Sequence, residues 1–295
     1  MVTEGLVVRS YSGYYYVDCN GTMVTCKVKG HLKQKRFSLF TGDRVLLETV
    51  SDDPGEGMIT SILPRRNFLL RPAVANLDLL VITQALKQPD FSYLIMDKLL
   101  VLAEKAKVPV LIVLTKADLT ETEQAERISS VYRNSGYQTF VISSLTGTGI
   151  DLLRKSLAGK VTAFGGPSGV GKSSALNAIQ PGIARTIGEI SSKISRGRHT
   201  TRYTELVPFN GGYLADTPGF GNVLLENMMP EELAGCFPEF RTYESSCKFS
   251  PCSHIHEPVC GVKNAVKAGR IAPTRYDSYL EIYEELKEYK ERNRK

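Results

Sequence analysis

The sequence lacks any apolar run approaching the ~20 residues of a membrane-spanning helix, and its first residues show no basic stretch followed by an apolar one. Internal repeats, low-complexity segments and coiled-coil heptads are also missing. These absences argue against the membrane, secreted and repeat classes, so we expect a monomeric cytoplasmic protein without a membrane partner. The 295 residues, 42% of them hydrophobic, suffice for one sizeable core and one or two small satellites.

The charge balance is mildly basic, with a formal net charge of +6 and a pI near 8.9. Such a charge favours a polyanionic partner only weakly. Six cysteines are present, and three of them, Cys247, Cys252 and Cys260, lie close together near the carboxyl end. In a reducing compartment, this clustering is typical of metal binding and not of a disulfide framework.

Changes in the hydrophobic pattern along the chain predict three domains. Residues 1–63 contain five short runs of β-branched and aromatic residues separated by turns such as Asn20-Gly21, which is typical of a small closed barrel such as an OB-fold. After a linker at residues 64–67, apolar strands alternate with helices up to residue 222. This pattern predicts an α/β domain with a parallel sheet covered on both faces. Residues 223–295 contain the three clustered cysteines and a charged helix from about Thr274. We expect the apolar stripe of this helix to dock onto the protein's own surface.

A phosphate-binding loop is predicted where the sequence fits G-x-x-x-x-G-K-[ST] at every fixed position, between a predicted strand and a predicted helix. Its residues are Gly166, Pro167, Ser168, Gly169, Val170, Gly171, Lys172 and Ser173. The glycines let backbone N–H groups surround phosphate oxygens, and the helix amino terminus favours the anion. We expect Lys172 to reach the β- and γ-phosphates and Ser173 to bind Mg²⁺.

Guanine selection is indicated by Thr115-Lys116-Ala117-Asp118, which ends an apolar strand and resembles the [NT]-K-x-D motif. The Asp118 carboxylate can accept from guanine N1–H and the 2-amino group, which adenine does not offer, and the Lys116 stem would cover the base. Ser143 and Ser144 end the next strand, where GTPases place a loop whose backbone N–H contacts guanine O6. Thr115 replaces the commoner Asn.

A D-x-x-G motif, Asp-Thr-Pro-Gly at 216–219, supplies the remaining phosphate contacts. Asp216 would hold Mg²⁺ through water, and the Gly219 N–H would sense the γ-phosphate. The polar, basic stretch 191–202 is interpreted as a switch loop, with Thr200 or Thr201 as a second Mg²⁺ ligand. An ordinary solvated loop is the alternative for this stretch.

The guanine elements precede the phosphate loop in the chain, whereas Ras-like proteins have the reverse order. A parallel sheet tolerates this circular permutation if the old chain ends are joined, here by the short connection 157–160. The stretch after the D-x-x-G motif then leads directly into the carboxyl-terminal domain. A γ-phosphate-dependent shift could therefore move that domain.

A zinc site is predicted from three thiols and one imidazole in the pattern C-x4-C-x-H-x5-C. The candidate ligands are Cys247, Cys252, His254 and Cys260, with His256 as an alternative imidazole. Four protein ligands leave no open position, so we expect one structural Zn²⁺. With no apolar core predicted nearby, metal ligation would supply most of the folding energy.

The barrel carries a basic loop and strand next to aromatic residues, a combination that suits phosphate neutralisation and base stacking. The candidate RNA-binding residues are Lys27, Lys29, Lys33, Lys35 and Arg36, beside Phe37 and the tyrosines at 14–16. A solvated basic edge that discourages strand pairing is the alternative interpretation.

In their order along the whole chain, these motifs resemble the RsgA (YjeQ/YloQ) family of bacterial GTPases that depend on the small ribosomal subunit. The resemblance adds Ser174 to the phosphate loop, Gly-Arg-His-Thr-Thr at 197–201 and Phe220 after the D-x-x-G motif. It implies an OB-fold, a permuted P-loop GTPase domain and a zinc-binding domain. It also implies hydrolysis of GTP to GDP and phosphate, stimulation by the small subunit and its rRNA, and a role in late subunit maturation.

Many GTPases carry Gln after D-x-x-G to orient the attacking water. Phe220 takes that position here and cannot do so, so we expect slow intrinsic hydrolysis. Our hypothesis is that His199 acts beside Lys172 as a catalytic residue when the ribosome orders the switch loop. A group from RNA or a ribosomal protein is the alternative. A nucleotide-gated RNA-binding chaperone, in which hydrolysis is secondary, is the alternative function.

Overall fold

The structure is a computed structural model that describes residues 2–11, 13–30, 38–50, 53–70, 73–187, 205–215, 225 and 228–292. Within these ranges, no helix is long and apolar enough to cross a membrane.

Five amino-terminal strands form a closed barrel, which confirms the predicted OB-like fold. They are β1 (Val2–Tyr11), β2 (Tyr14–Cys19), β3 (Thr22–Val28), β4 (Arg44–Val50) and β5 (Asp53–Ile62), in the order β1-β2-β3-β5-β4. The barrel closes because β1 pairs with both β2 and β4, while β3 runs parallel to β5. Alternate side chains such as Val17, Val24 and Ile59 point inward and form a separate apolar core.

The predicted linker joins the barrel to the next domain, but ion pairs hold it firmly. Arg65 donates from Nε and Nη2 to the two carboxylate oxygens of Asp43, over 2.6 and 2.8 Å, and Asp43 is fully buried. Arg66 pairs with Asp78 at 2.7 Å. The short strands β6 (Phe68–Leu70) and β7 (Ala73–Ala75) then form a two-stranded hairpin, which the sequence analysis missed.

The central domain contains a six-stranded sheet. Its strands are β8 (Leu79–Ala85), β9 (Val110–Thr115), β10 (Gln138–Val141), β11 (Val161–Gly165), β12 (Leu206–Phe209) and β13 (Gly212–Ala215), in the order β10-β9-β8-β11-β13-β12. All are parallel except β12, which pairs antiparallel with β13. The sequence predicted both the parallel arrangement and the hairpin formed by β12 and β13.

Helices cover both faces of this sheet, so that β8 is buried along its whole length. They are α1 (Tyr93–Ala106), α2 (Thr122–Asn134), α3 (Ile150–Leu157) and α4 (Lys172–Ile179). One apolar cluster contains residues of α1 and α2, and a second contains residues of α3 and α4. The two clusters account for the two layers of helices that the alternating sequence predicts.

The described part of the carboxyl-terminal module, residues 225 and 228–292, contains three 3-10 turns followed by three helices. The turns are Pro230–Glu232, Ala234–Cys236 and Pro238–Phe240, and the helices are α5 (Arg241–Glu244), α6 (Gly261–Lys267) and α7 (Pro273–Arg292). Tyr279 packs edge to face against Phe237 and Phe240, which stack on each other, in an apolar cluster that reaches Val101 of α1. The expectation that this region lacks an apolar core was therefore wrong, whereas docking of the α7 stripe is confirmed.

Candidate nucleotide site and metal cluster

The phosphate loop follows β11, near the centre of the sheet, and leads into α4, as predicted. Two of its glycines are required by the backbone. Gly166 has φ +138°, and a Cβ there would lie 2.0 Å from the carbonyl oxygen of Thr83. Gly171 has φ +91° and precedes the first residue of α4. A larger side chain would be strained at both positions, so the motif's glycines shape the loop.

The ammonium of Lys172 is directed back onto the loop. Its Nζ donates to the carbonyl oxygens of Gly166 and Pro167 over 2.7 and 2.5 Å. Burial lowers the pKa of Lys172 from its usual value, because the charged form loses hydration. A phosphate placed in the loop would be a stronger acceptor than the two carbonyls, so Lys172 is poised to neutralise an anion there.

The predicted guanine motif contacts this loop directly. Thr115, the last residue of β9, donates from Oγ1 to the carbonyl oxygen of Val170 over 2.5 Å. Lys116 donates from Nζ to the carbonyl oxygen of Gly169 over 2.9 Å and also to that of Gln88. Residues at the carboxyl end of β9 therefore meet the loop that follows β11 at one edge of the sheet, as expected for the carboxyl ends of parallel strands.

Asp118 lies beside the residues that follow β10. Ser143 donates from Oγ to Oδ1 of Asp118 over 2.5 Å, and the backbone N–H of Ala117 donates to the carbonyl oxygen of Ile142. Ser143 is buried, Ser144 is half-buried and Asp118 is exposed. An exposed carboxylate that is oriented by a buried hydroxyl can accept hydrogen bonds from a ligand. The three segments named by the sequence analysis are thus brought together.

Other predicted site residues lie outside the described residues. They are Lys33, Lys35 and Arg36 of the barrel, the switch residues His199, Thr200 and Thr201, and the motif residues Asp216, Gly219 and Phe220. Their roles stay predictions. Ser173 and Ser174 are described and are exposed in the first turn of α4.

The three thiols and one imidazole form a compact cluster. The ligand atoms of Cys247, Cys252, His254 and Cys260 all lie within 4.8 Å of one another. Nδ1 of His254 is 3.3 Å from Sγ of Cys260 and 3.7 Å from Sγ of Cys247, and the two sulfurs are 3.9 Å apart. A tetrahedral zinc site with usual bond lengths separates a sulfur from a nitrogen or from another sulfur by roughly 3.5–3.8 Å. The cluster therefore fits Zn²⁺, and it includes His254, whereas His256 is exposed.

The surroundings also suit bound thiolates. Backbone N–H groups of Gly261 and Lys263 donate to Sγ of Cys247 and Cys260, over 3.2 and 3.5 Å. Burial raises the pKa of the Cys252 thiol to about 12, so a cation must displace its proton in order to bind.

Three residues that the sequence analysis did not assign to the site hold the metal loop in place. Tyr276 and Tyr279 of α7 donate from their hydroxyls to the carbonyl oxygens of His254 and Ser253, over 2.7 and 2.5 Å. Glu257 accepts from the backbone N–H groups of Ser253 and Ile255. Burial alone would raise the pKa of Glu257, but these bonds lower it to about 2. The sequence analysis placed the two tyrosines only in the apolar stripe of the last helix. No sequence pattern pointed to Glu257.

The described part of the barrel surface combines aromatic rings with a cation. Tyr11 and Tyr14 are paired across β1 and β2 and are 63% and 40% exposed. Nζ of Lys27 lies 5.0 Å from the centroid of the Tyr14 ring. Lys29 is also exposed and forms an ion pair with Glu48. We name Tyr11, Tyr14 and Lys27 the barrel aromatic face.

Taken together, the fold and the site define a circularly permuted P-loop GTPase domain with an OB-like barrel and a Cys₃His module. The RsgA GTPase family model matches residues 62–226, and the RsgA N-terminal domain model matches residues 4–59. The chain belongs to the RsgA family, as its motifs indicated, and is a GTP hydrolase.

Full-length relatives support this assignment. The chain is 44% identical over 284 residues to a protein of Moorella thermoacetica and 41% identical over 294 residues to one of Geobacillus kaustophilus. The alignments cover 96% and 99% of this chain, and 97% and 100% of the relatives. Both relatives are named "Small ribosomal subunit biogenesis GTPase RsgA".

Solved structures share the fold. YjeQ from Thermotoga maritima is 37% identical with a TM-score of 0.84, covering 97% of this chain and 99% of that one. YloQ, described as a circularly permuted GTPase, is 33% identical with a TM-score of 0.83, covering 98% and 96%.

Proposed function

We propose that this GTP hydrolase binds the small ribosomal subunit and acts in its late maturation, with hydrolysis stimulated by that subunit. Two full-length relatives carry the small subunit in their names. The observation that best supports binding of a guanine nucleotide is the direct contact between the guanine motif and the phosphate loop. Thr115 donates to Val170, and Lys116 donates to Gly169. A protein that acts on ribosomal subunits works in the cytoplasm, and we propose that this one does so as a monomer.

In the proposed nucleotide complex, Asp118 accepts hydrogen bonds from guanine N1–H and the 2-amino group. The stem of Lys116 covers the base, and the backbone N–H of Ser144 donates to O6. Lys172 leaves the carbonyls of its own loop and binds the β- and γ-phosphates. The remaining loop contacts come from Gly166, Pro167, Ser168, Gly169, Val170, Gly171, Ser173 and Ser174, with Gly219 at the γ-phosphate.

Ser173 supplies a hydroxyl oxygen, a ligand type that Mg²⁺ prefers. We propose that Ser173, Asp216 and either Thr200 or Thr201 hold the ion. When bound, Mg²⁺ neutralises charge on the β- and γ-phosphates.

For the attacking water, we propose that His199 is the group that orients or deprotonates it. Phe220 has no polar atom with which to do so. A group supplied by rRNA or a ribosomal protein is the competing source. An inactive His199→Ala variant that still binds GTP would favour His199, whereas full subunit-stimulated turnover would favour the ribosomal group.

For the other two domains, we propose a structural Zn²⁺ on Cys247, Cys252, His254 and Cys260 and an RNA-binding surface on the barrel. The donor set and spacing of the cluster support the first proposal. The barrel aromatic face supports the second, because exposed rings next to a cation suit base stacking and phosphate neutralisation. We extend this surface to Lys29, Lys33, Lys35 and Arg36. The proposed domain bounds are 1–63, 64–222 and 223–295.

The guanine site is tested by inverting its hydrogen-bonding pattern. Xanthine carries a carbonyl where guanine has the 2-amino group, so Asp118→Asn should prefer xanthosine nucleotides. We expect GDP affinity to fall by at least about 100-fold, because two charge-assisted hydrogen bonds are lost. Binding is measured by calorimetry with GDP, XDP and ADP. Glu123→Gln removes an exposed carboxylate on α2 and should change nothing. Unchanged GDP binding by Asp118→Asn would contradict the proposed site.

A further inference from the structure

The hydroxyl of Thr115 is enclosed by the phosphate loop. Thr115 is only 2% exposed, and its Oγ1 donates to the carbonyl oxygen of Val170 over 2.5 Å. A Cβ added at Gly171 would lie 3.4 Å from the same Oγ1. The side chain is therefore packed against two successive residues of the loop and has little freedom to turn elsewhere.

This bond uses the single proton that a threonine hydroxyl can donate. The carbonyl of Val170 has none to offer, so Thr115 must be the donor. What remains on Oγ1 is lone pairs, which can only accept. Guanine presents acceptors at N7 and O6. An acceptor opposite an acceptor makes no hydrogen bond, so Thr115 cannot bind N7 while it holds Val170.

Two neighbouring side chains also donate to groups of the protein itself. The ammonium of Lys116 donates to the carbonyls of Gly169 and Gln88, and the hydroxyl of Ser143 donates to Asp118. In the proposed complex, Ser144 contributes its backbone N–H to O6. None of these groups is assigned to N7.

We propose that Thr115 is a positioning residue that ties the guanine motif to the phosphate loop and binds no atom of the base. As a consequence, Thr115 contributes nothing to recognition of N7, and among the described residues base selection rests on Asp118 and on the backbone N–H of Ser144 at O6. The inference rests on the proposed guanine site and specifies which edges of the base that site distinguishes. An Asn at the same position has two N–H groups, so one can hold Val170 while the other reaches N7.

The test compares GDP with 7-deaza-GDP, in which a C–H group replaces N7. The full-length protein should bind the two nucleotides with affinities within about twofold of each other. Thr115→Asn should bind 7-deaza-GDP about 3- to 10-fold more weakly than GDP, because a neutral hydrogen bond is gained only with N7 present. Thr115→Ser keeps the hydroxyl and should keep the ratio near one.

Thr115→Val separates positioning from base recognition. It removes the tie to Val170, so affinity for both nucleotides should fall together while their ratio stays near one. Wild-type protein that binds 7-deaza-GDP fivefold or more weakly than GDP would overturn the inference, whether or not the variants fold. Equal binding of GDP and ADP would overturn the guanine site itself, and the ADP measurement identifies that outcome.

Discussion

Arg275 donates from Nη1 to Oδ1 of Asp97 over 2.5 Å, and neither side chain has any exposed surface. The pair joins α7 of the carboxyl-terminal module to α1 of the central domain. Nε of Arg275 also donates to Glu239 over 2.7 Å, so that one buried cation faces two carboxylates. A nucleotide-dependent movement of the module would therefore have to carry α1 with it or separate this network.

Removal of Arg275 should strongly destabilise the protein. Arg275→Met leaves the Asp97 carboxylate buried without its cation, and a loss of about 3–5 kcal/mol of unfolding free energy is expected. The midpoint of urea unfolding, followed by circular dichroism, measures the change. Arg133→Met serves as the control, because it removes an exposed ion pair with Glu126 and should cost less than about 1 kcal/mol.

Changing both partners tests the cause of that loss. In Arg275→Met with Asp97→Leu, no carboxylate remains at position 97, so at least part of the lost stability should return. Equal unfolding midpoints for the Arg275→Met and Arg133→Met variants would show that the buried pair does not hold the module.

The Cys₃His cluster should control which thiols react. Burial raises the pKa of Cys26 to about 12 and that of Cys236 to about 11, so both should stay protonated and unreactive at pH 7.5. With zinc bound to Cys247, Cys252 and Cys260, Cys19 is the one thiol left to react with a reagent. We expect at most one rapid reaction with a thiol reagent before chelation. Three more are expected afterwards, because removal of the ion lets the loop that carries Cys247, Cys252 and Cys260 open and brings these thiols into solvent.

Two controls make the thiol count specific. Cys19→Ser should bring the count before chelation to zero. Circular dichroism after chelation should retain most of the helical signal, because the contacts of Tyr279 with Phe237 and Phe240 involve no metal ligand. Reaction of Cys247, Cys252 and Cys260 at equal rates before and after chelation of zinc-supplemented protein would argue against a zinc site.

The barrel aromatic face should bind single-stranded RNA through two separable contributions. Lys27→Ala should reduce the slope of log affinity against log salt concentration by about 0.7, as expected when one phosphate contact is lost. Tyr14→Ala should weaken binding by about 1–3 kcal/mol at every salt concentration without changing the slope, since stacking carries no charge. Fluorescence anisotropy with a labelled mixed-sequence oligonucleotide measures both effects.

Lys155→Ala is the matched control for charge, because Lys155 is exposed on α3 in another domain. It should leave both the affinity and the slope unchanged. If Lys155→Ala and Lys27→Ala reduce the slope equally, RNA binding is a property of net charge and the barrel surface is not specific.

Glu232 should make a small, pH-dependent contribution to stability. The backbone N–H of Met229 donates to its carboxylate over 2.7 Å, and this bond, together with nearby Lys105, holds the pKa of Glu232 below its usual value. A carboxyl whose pKa is lowered on folding stabilises the protein above its unfolded pKa, and the contribution is lost as the pH falls through the folded value.

Glu232→Gln should therefore be less stable than wild type at pH 7, by less than about 1 kcal/mol for this exposed group. The difference in unfolding midpoint should shrink progressively once the pH falls below about 4.5. Glu123→Gln should show no comparable dependence. A difference that stays constant down to pH 3 would mean that the hydrogen bond does not depend on ionisation.

The sequence predicted features whose residues lie close together in the chain. The phosphate loop occupies consecutive residues, and the Cys₃His ligands recur at short intervals, so their chemistry is visible without a fold. The barrel and the parallel sheet followed from strand patterns, because alternation and apolar runs reflect which faces are buried.

Features that depend on distant pairs were not predictable in this way. The bond from Thr115 to Val170 spans 55 positions, and that from Arg275 to Asp97 spans 178. Arg275 lies in a charged helix and gave no sign that it is buried. Phe240 lies in a 3-10 turn and Phe237 lies between two such turns, without a regular period, so the apolar core of the carboxyl-terminal module was missed.

The most direct test of the account is phosphate release from GTP, measured with no ribosomal particle, with purified small subunits and with large subunits. We predict slow turnover alone and with large subunits, and strong stimulation by small subunits that Lys172→Ala abolishes. Equal, slow turnover in all three conditions would contradict the ribosomal role while leaving the GTPase fold intact.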